Sequence, residues 1–211
     1  MRNKINPYMW RIRKLCRNDA SQISPHPLPR ERYRREGLLK AVPRGPKGKK
    51  KPQRVLLISQ RVVDHFYMDF AYREAERAAR NGEVPVGAVY VQHGIRIGFG
   101  NRVEREKKSL AHAEMLCLIE AQRRYGRILP EGRLYVTLEP CAMCAGAIVQ
   151  SHLKRVIFGA WDDERGACGS MLDVLGQKRS LFHVSYTGGI QAERCRKLLQ
   201  NFFRRRRLLI I

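Results

Sequence analysis

Acidic residues are scarce in this chain. Its 211 residues include 19 Asp and Glu against 42 Lys and Arg, a formal net charge of +23. That imbalance points to a polyanionic partner, because Lys and Arg gain affinity by releasing counterions from phosphates. Long apolar runs are missing too. None approaches the roughly 20 residues that a membrane-spanning helix needs, so the chain reads as a soluble protein. Cysteines number six, and Cys16, Cys117, Cys168 and Cys195 stand alone. This is not the pattern of a secreted disulfide scaffold, and it fits a reducing compartment. There is no second C-x-x-C to complete a closed structural zinc site around Cys141 and Cys144.

What is present is unevenly spread. Residues 1–60 carry 17 Lys and Arg, 3 Asp and Glu, and seven prolines. Residues 61–211 carry 25 and 16. The first stretch holds runs such as Arg30-Glu31-Arg32-Tyr33-Arg34-Arg35 and can bury little apolar surface, which predicts a disordered basic extension over 1–61. Three readings of it compete: an arm that adds phosphate contacts, an organelle-targeting peptide, or a start codon placed upstream of the true one, nearer Val62 or Met68. Sparse serine weighs against the targeting peptide. The globular domain is expected over 62–211.

The chemistry concentrates in two short stretches, His112-Ala113-Glu114 and Glu139-Pro140-Cys141-Ala142-Met143-Cys144. They offer one imidazole, two thiols and one carboxylate. Zinc takes sulfur and nitrogen ligands in tetrahedral geometry, and three protein ligands leave the fourth position open, as catalytic sites require. Cys141 and Cys144 have the spacing that aims two side chains the same way at a helix start. A helix beginning after Pro140 points its positive dipole end at them and favours the thiolates. His112, Cys141 and Cys144 are therefore read as ligands of one Zn2+ per subunit, and Glu114 as the acid/base beside it. The bland alternatives for a lone C-x-x-C, a redox pair or half of a structural site, do not call for the upstream His and Glu.

Periodicity fills in the rest as an α/β chain. A helix is expected from Asp64, its cap, to the stop at Asn81-Gly82, with Phe66, Phe70, Ala71, Ala75, Ala78 and Ala79 facing the core. Strands are expected over 84–91 and 95–99, joined by a tight hairpin. Gly87 interrupts the first, where a ligand could approach the backbone, and Asn101 closes the second. Residues 102–109 read as a loop. A helix over 110–124 places His112 and Glu114 in its first turn, with Met115, Leu116, Leu118 and Ile119 as its apolar content. Next come a strand over 133–138, a helix over 141–151, a strand over 154–159, a loop over 160–169, a short helical piece over 171–175, a strand over 182–186 and a final helix over about 191–207. The connection before the fifth strand is long enough for a crossover, so that strand is expected to run parallel to the fourth. The closing Phe202-Phe203-Arg204-Arg205-Arg206-Arg207 reads either as a solvated helix end complementing the dipole or as a phosphate clamp with an aromatic beside it.

Pro85-Val86-Gly87-Ala88-Val89, Ala111-His112-Ala113-Glu114, Thr137 to Ala147 and Phe202-Phe203-Arg204 together resemble the bacterial tRNA-specific adenosine deaminases. The likeness covers about residues 64–207, and the link from this H-x-E and P-C-x-x-C signature to zinc-dependent base deamination is known chemistry of such enzymes. The resemblance implies a three-layer α/β/α fold of the cytidine-deaminase type with a five-stranded mixed sheet. It also implies a homodimer, a cytoplasmic enzyme (unless the extension carries an organellar address), and conversion of adenosine to inosine at wobble position 34 of a tRNA anticodon, typically of an arginine tRNA. By position it gives Asn101 a base contact, Asp162 a ribose contact, and Phe203 and Arg206 contacts to the anticodon stem-loop. Departures stand at Val103, where the family often has Pro, at Leu110, where it often has Thr, and at Trp161, where a basic residue is common. Two rivals remain: a zinc deaminase of a free base such as guanine, cytosine or a pterin precursor, and a non-catalytic zinc module that binds RNA or a partner subunit.

Overall fold

His93-Gly94 decides where the sheet begins. Both residues take positive φ, 50° and 76°, the conformation of a two-residue turn whose twist matches that of the flanking strands. It joins β1 (Gly87–Gln92) to β2 (Ile95–Gly100) in antiparallel register, with Gln92 opposite Ile95. The computed structural model describes residues 59–177 and 182–208. The basic extension through residue 58, Cys16 within it and the last three residues lie outside the described residues.

In chain order the elements are α1 (Gln60–Arg80), β1, β2, α2 (Val103–Glu106), α3 (Ala113–Tyr125), β3 (Arg133–Leu138), α4 (Ala142–Gln150), β4 (Arg155–Ala160), β5 (Ser185–Thr187) and α5 (Ala192–Leu208). The chain separates into two units, Met1–Val63 and Asp64–Ile211, and the sheet lies wholly in the second. Its strand order is β2-β1-β3-β4-β5. β3 is antiparallel to β1, whereas β3, β4 and β5 run parallel. The expected mixed five-stranded sheet and the parallel fifth strand are both found. Helices α3 and α4 pack with Ala88, Tyr90, Leu134, Val136, Val156 and Phe158 in one core. Helices α1 and α5 cover the other face, where Tyr67 of α1 lies against Tyr135 and Cys195 of α5 lies against Gly159. A sheet buried on both sides needs apolar residues at consecutive positions, and β1, β3 and β4 supply them.

Several expectations are corrected by long-range packing. Asp64 does not cap α1, which starts at Gln60. It lies inside the helix, buried, and its carboxylate accepts hydrogen bonds from Tyr135 Oη and Arg155, each at 3.1 Å. Arg155 also donates to Thr187 Oγ1 at 2.9 Å, so one network ties α1 to β3, β4 and β5. The core face of α1 is Tyr67, Met68, Ala71, Ala75 and Ala78. Phe66 and Phe70 stay half-buried at its flank, edge to face at 5.1 Å, and the Arg96 guanidinium lies 3.7 Å over the Phe70 ring. On α3, Cys117, Leu118 and Ala121 are buried, while Ile119 is exposed. The first strand starts late because Pro85 has no N–H to give and Val86 N turns back to Val84 O at 2.7 Å. Residues 103–106 form a single helical turn, α2, inside the expected loop. Residues 171–175 are not helical: the amides of Met171 and Leu172 both return to Gly166 O, and Cys168 bridges Asp173.

Gly87 has a different reason from the one expected. A Cβ there would lie 2.1 Å from Ala71 O and 2.3 Å from Ala75 N. The glycine lets α1 press on β1, and it marks helix–sheet packing, not a ligand approach. Gly87→Ala is therefore predicted to destabilise the fold by about 3 kcal/mol, since nothing flexible can yield. Urea unfolding of the two proteins would show it, and equal midpoints would refute the packing argument.

Candidate metal centre

Two helix starts meet where the parallel strands end. His112 is the N-cap of α3 and Cys141 the N-cap of α4, both with extended backbone, φ −70° and ψ 149° and φ −71° and ψ 169°. Each releases its side chain forward while its carbonyl begins the helix: Leu116 N bonds His112 O at 3.0 Å and Ala145 N bonds Cys141 O at 2.8 Å. Cys144 follows one turn later and is fully buried. His112 Nδ1 lies 3.8 Å from Cys141 Sγ and 3.6 Å from Cys144 Sγ. All three donor atoms fall within 4.8 Å of one another.

These spacings can be tested against zinc. Bonds of about 2.3 Å to sulfur and 2.0 Å to nitrogen in a tetrahedron put the N and S atoms about 3.5 Å apart. The observed separations are close to that edge, and the donor types are those zinc prefers, so the residues fit the ion. The two thiols shift in opposite directions. Cys141 is drawn down to about 4, chiefly by the bond it accepts from Cys144 and then by His112. Cys144 is pushed up, first by holding the proton of that bond and then by burial. Its bond to Cys141 likewise raises the His112 pKa, against burial. Cys141 and Cys144 would hold a positive ion here as thiolates.

Glu114 lies in the first turn of α3, buried, and its Oε2 has no hydrogen-bond partner among the described residues. Burial raises its pKa to about 7, against the lowering pull of its own backbone amide and of His112. A buried carboxylate oxygen left unsatisfied costs free energy, and it is tolerated where a substrate or water completes it. Asn101 sits beside this turn. Its Oδ1 accepts a bond from Ala113 N at 2.9 Å, which fixes the side chain against the start of α3 and leaves the amide NH2 end for other partners. His112, Glu114, Cys141, Cys144 and Asn101 are thus brought together.

A residue whose role the sequence motif hid is Glu139. It is buried, and each of its oxygens takes two donors. Oε1 accepts from Cys168 N at 2.8 Å and Ser170 N at 3.2 Å; Oε2 accepts from Asp162 N at 3.1 Å and from Ser170 Oγ. Gly166 lies against the same carboxylate, where a Cβ would come within 2.4 Å. Ala167 N adds a bond to Pro140 O at 2.9 Å. One glutamate therefore clamps the 160–170 loop to the turn that carries Cys141. The one hint in the sequence is its place before Pro140; the loop partners are more than 20 residues away.

Asp162 lies on that loop, and its Oδ1 accepts from Glu164 N and Arg165 N at 3.1 Å each, folding the loop on itself. Phe203 and Arg206 lie on the exposed last turns of α5, on the far face of the sheet from α3 and α4. Arg206 stands 5.5 Å over the Phe202 ring. The structure does not gather these two with the metal residues.

Fold and donor set define the class: residues 61–160 match the cytidine and deoxycytidylate deaminase zinc-binding region. The tRNA-specific adenosine deaminase of Bacillus subtilis strain 168 is 43% identical over 143 residues, which is 67% of this chain and 89% of that protein. The enzyme of the same name from Aquifex aeolicus is 43% identical over 148 residues, 69% of this chain and 97% of that one. A structure from work on A-to-I editing by tRNA:A34 deaminases superposes with a TM-score of 0.60 at 36% identity, covering 63% of this chain and 98% of the other. A guanine deaminase from Nitrosomonas europaea, at 21% identity and a TM-score of 0.57, shares the fold. The chain belongs to the tRNA-specific adenosine deaminase family.

Removing a donor should empty the centre. His112→Ala and Cys141→Ala are each predicted to lower bound zinc well below one ion per subunit, as metal analysis would read; full occupancy in both would refute the ligand set. Glu139→Gln places an NH2 against a backbone N–H whichever way it turns, those of Cys168 and Ser170 on one side and that of Asp162 on the other. It should cost about 3 kcal/mol and speed amide exchange at Cys168 and Ser170 above that of the sheet. Unchanged exchange there would remove the clamp.

Proposed function

We propose that this protein hydrolytically deaminates adenosine to inosine at wobble position 34 of a tRNA anticodon, typically that of an arginine tRNA. The observation that carries the reading is the unpartnered, buried Glu114 Oε2 beside a His-Cys-Cys donor set. A pure zinc-binding module has no use for a carboxylate kept unsatisfied at that cost. The relatives of known name favour adenosine in tRNA over a free base.

His112 Nδ1 and the Cys141 and Cys144 sulfurs would hold the ion. Zinc in such a site supplies a Lewis acid that makes water a usable nucleophile near neutral pH. Glu114 handles the protons. It takes one from the attacking water and delivers it to purine N1 while the water oxygen bonds C6. It then takes the remaining hydroxyl proton and passes it to the amine, which leaves as ammonia as the C6 carbonyl forms. A carboxyl whose pKa is raised by burial suits both directions of transfer. The Asn101 NH2 end, left over by the bond its Oδ1 accepts from Ala113 N, is assigned to hold the base.

The target base must leave its stack to reach this depth, as bases in single-stranded loops can. Asp162 is assigned to the ribose, and Phe203 and Arg206 to the anticodon stem-loop, supported by the exposed Arg204 to Arg207 that follow Phe203 on α5. The basic extension over 1–61 would add phosphate contacts to the deaminase domain over 62–211. We also assign a homodimer: Leu110 and Ile119, beside and on the helix that bears His112, are 60% and 58% exposed, apolar surface that a second copy would cover. No helix among the described residues is long and apolar enough to cross a membrane, and the reading places the enzyme with cytoplasmic tRNA unless the extension carries an organellar address.

The test is incubation of purified protein with anticodon stem-loops bearing A or C at position 34, with free guanine and cytosine in parallel. Inosine from the A stem-loop alone is expected. Turnover of a free base in place of the stem-loop would overturn the reading. Glu114→Ala should retain zinc and lose about 100-fold or more in kcat; retained turnover would remove Glu114 from the proton path.

A further inference from the structure

Trp161 stands at an unusual place for an exposed indole. β4 ends at Ala160, whose carbonyl receives Glu139 N at 2.9 Å. Trp161 is thus the first residue past the sheet, at the strand ends where Glu139-Pro140-Cys141 also emerge. In parallel α/β sheets, ligands gather at these strand ends. The indole is 42% exposed, yet it is held. It meets the buried Phe158 ring edge-on, with centroids 4.7 Å apart. It also lies over Gly188, where a Cβ would come within 2.6 Å of both rings, and near Gly169, where the corresponding distance is 3.7 Å. The backbone on its other side is fixed, because Asp162 N is bonded to the buried Glu139. An aromatic ring clamped from below and behind, with part of its surface open, loses little entropy when something stacks on it.

We infer that Trp161 is a stacking platform for a nucleobase flanking the target adenosine, and so a specificity-determining residue for the anticodon loop. The inference rests on the tRNA reading above. A base has a π-face whatever its identity, and stacking on an aromatic side chain recognises an unpaired base next to the flipped one. Around the ring the loop carries charge: Asp163, Glu164 and Arg165 are all exposed. The indole is the flat apolar element among them. Gly188 is part of the device, since any side chain there would displace the ring.

The sequence contains one other tryptophan, Trp10, so Trp10→Phe leaves Trp161 as the sole indole reporter. Titration of that protein with an anticodon stem-loop should quench its emission in step with binding. With the deamination assay, Trp161→Ala is expected to raise KM for the stem-loop about fivefold or more, with zinc content and kcat near wild type, and Trp161→Phe to recover most of the loss. A stem-loop with an abasic residue on one side of the adenosine should cost the wild type a similar factor and cost Trp161→Ala nothing further, because the interaction is already gone. Unchanged emission at saturating RNA, an unchanged KM in Trp161→Ala, or a change of oligomeric state in place of a change in KM would each overturn the proposal. Absence of inosine from the wild type would instead sink the deaminase reading, and the fluorescence titration would still decide the stacking.

Discussion

Three soft donors from two distant stretches of chain must reach one point, and the architecture follows from that demand. An imidazole and two thiols converge within 4.8 Å only if their backbones arrive together. The protein achieves this by starting two helices side by side at the end of a parallel sheet. Both His112 and Cys141 are N-caps, so both helices aim their positive dipole ends at the same place. That field favours thiolate over thiol, and it also explains why a carboxylate can be kept two residues into α3. Asn101 bonding Ala113 N holds the start of α3 in place.

Three buried glutamates show how burial divides into structure and chemistry. Glu83 accepts bonds from Glu104 N and Arg105 N and so pins α2. Glu139 accepts four and pins the loop that bears Trp161 and Asp162. Glu114 is as deeply buried, but its Oε2 has no partner. The first two offset their desolvation by hydrogen bonds on both oxygens; the third leaves Oε2 without one, and burial raises its pKa to about 7. The difference lies in the donors that each oxygen meets.

Much of the candidate centre was legible because it is local. The i, i+3 step from Cys141 to Cys144 and the i, i+2 step from His112 to Glu114 are fixed by the helix start that follows them. The hairpin at His93-Gly94 and the strand at Arg133–Leu138 were legible for the same reason: their signals lie within a few residues. Expectations failed where a distant partner decided. Asp64 looks like a cap until Tyr135 and Arg155, 71 and 91 residues on, claim it. Ile119 has the period of a core residue, but only the packing of α3 shows that Cys117, Leu118 and Ala121 occupy the buried arc.

The amino-acid sequence thus determined the donor types, their spacing along each helix, the strands and the charge, since these depend on covalent order and near neighbours. Tertiary structure alone decided that the two donor stretches meet, that Glu139 grips a loop 23 to 31 residues away while Glu114 grips nothing on one oxygen, and that the Trp161 indole packs against Phe158 and Gly188. The physical reason is that hydrogen-bond satisfaction and burial are properties of a place in space. Residues far apart in the chain share such a place only once the sheet has brought their strands together.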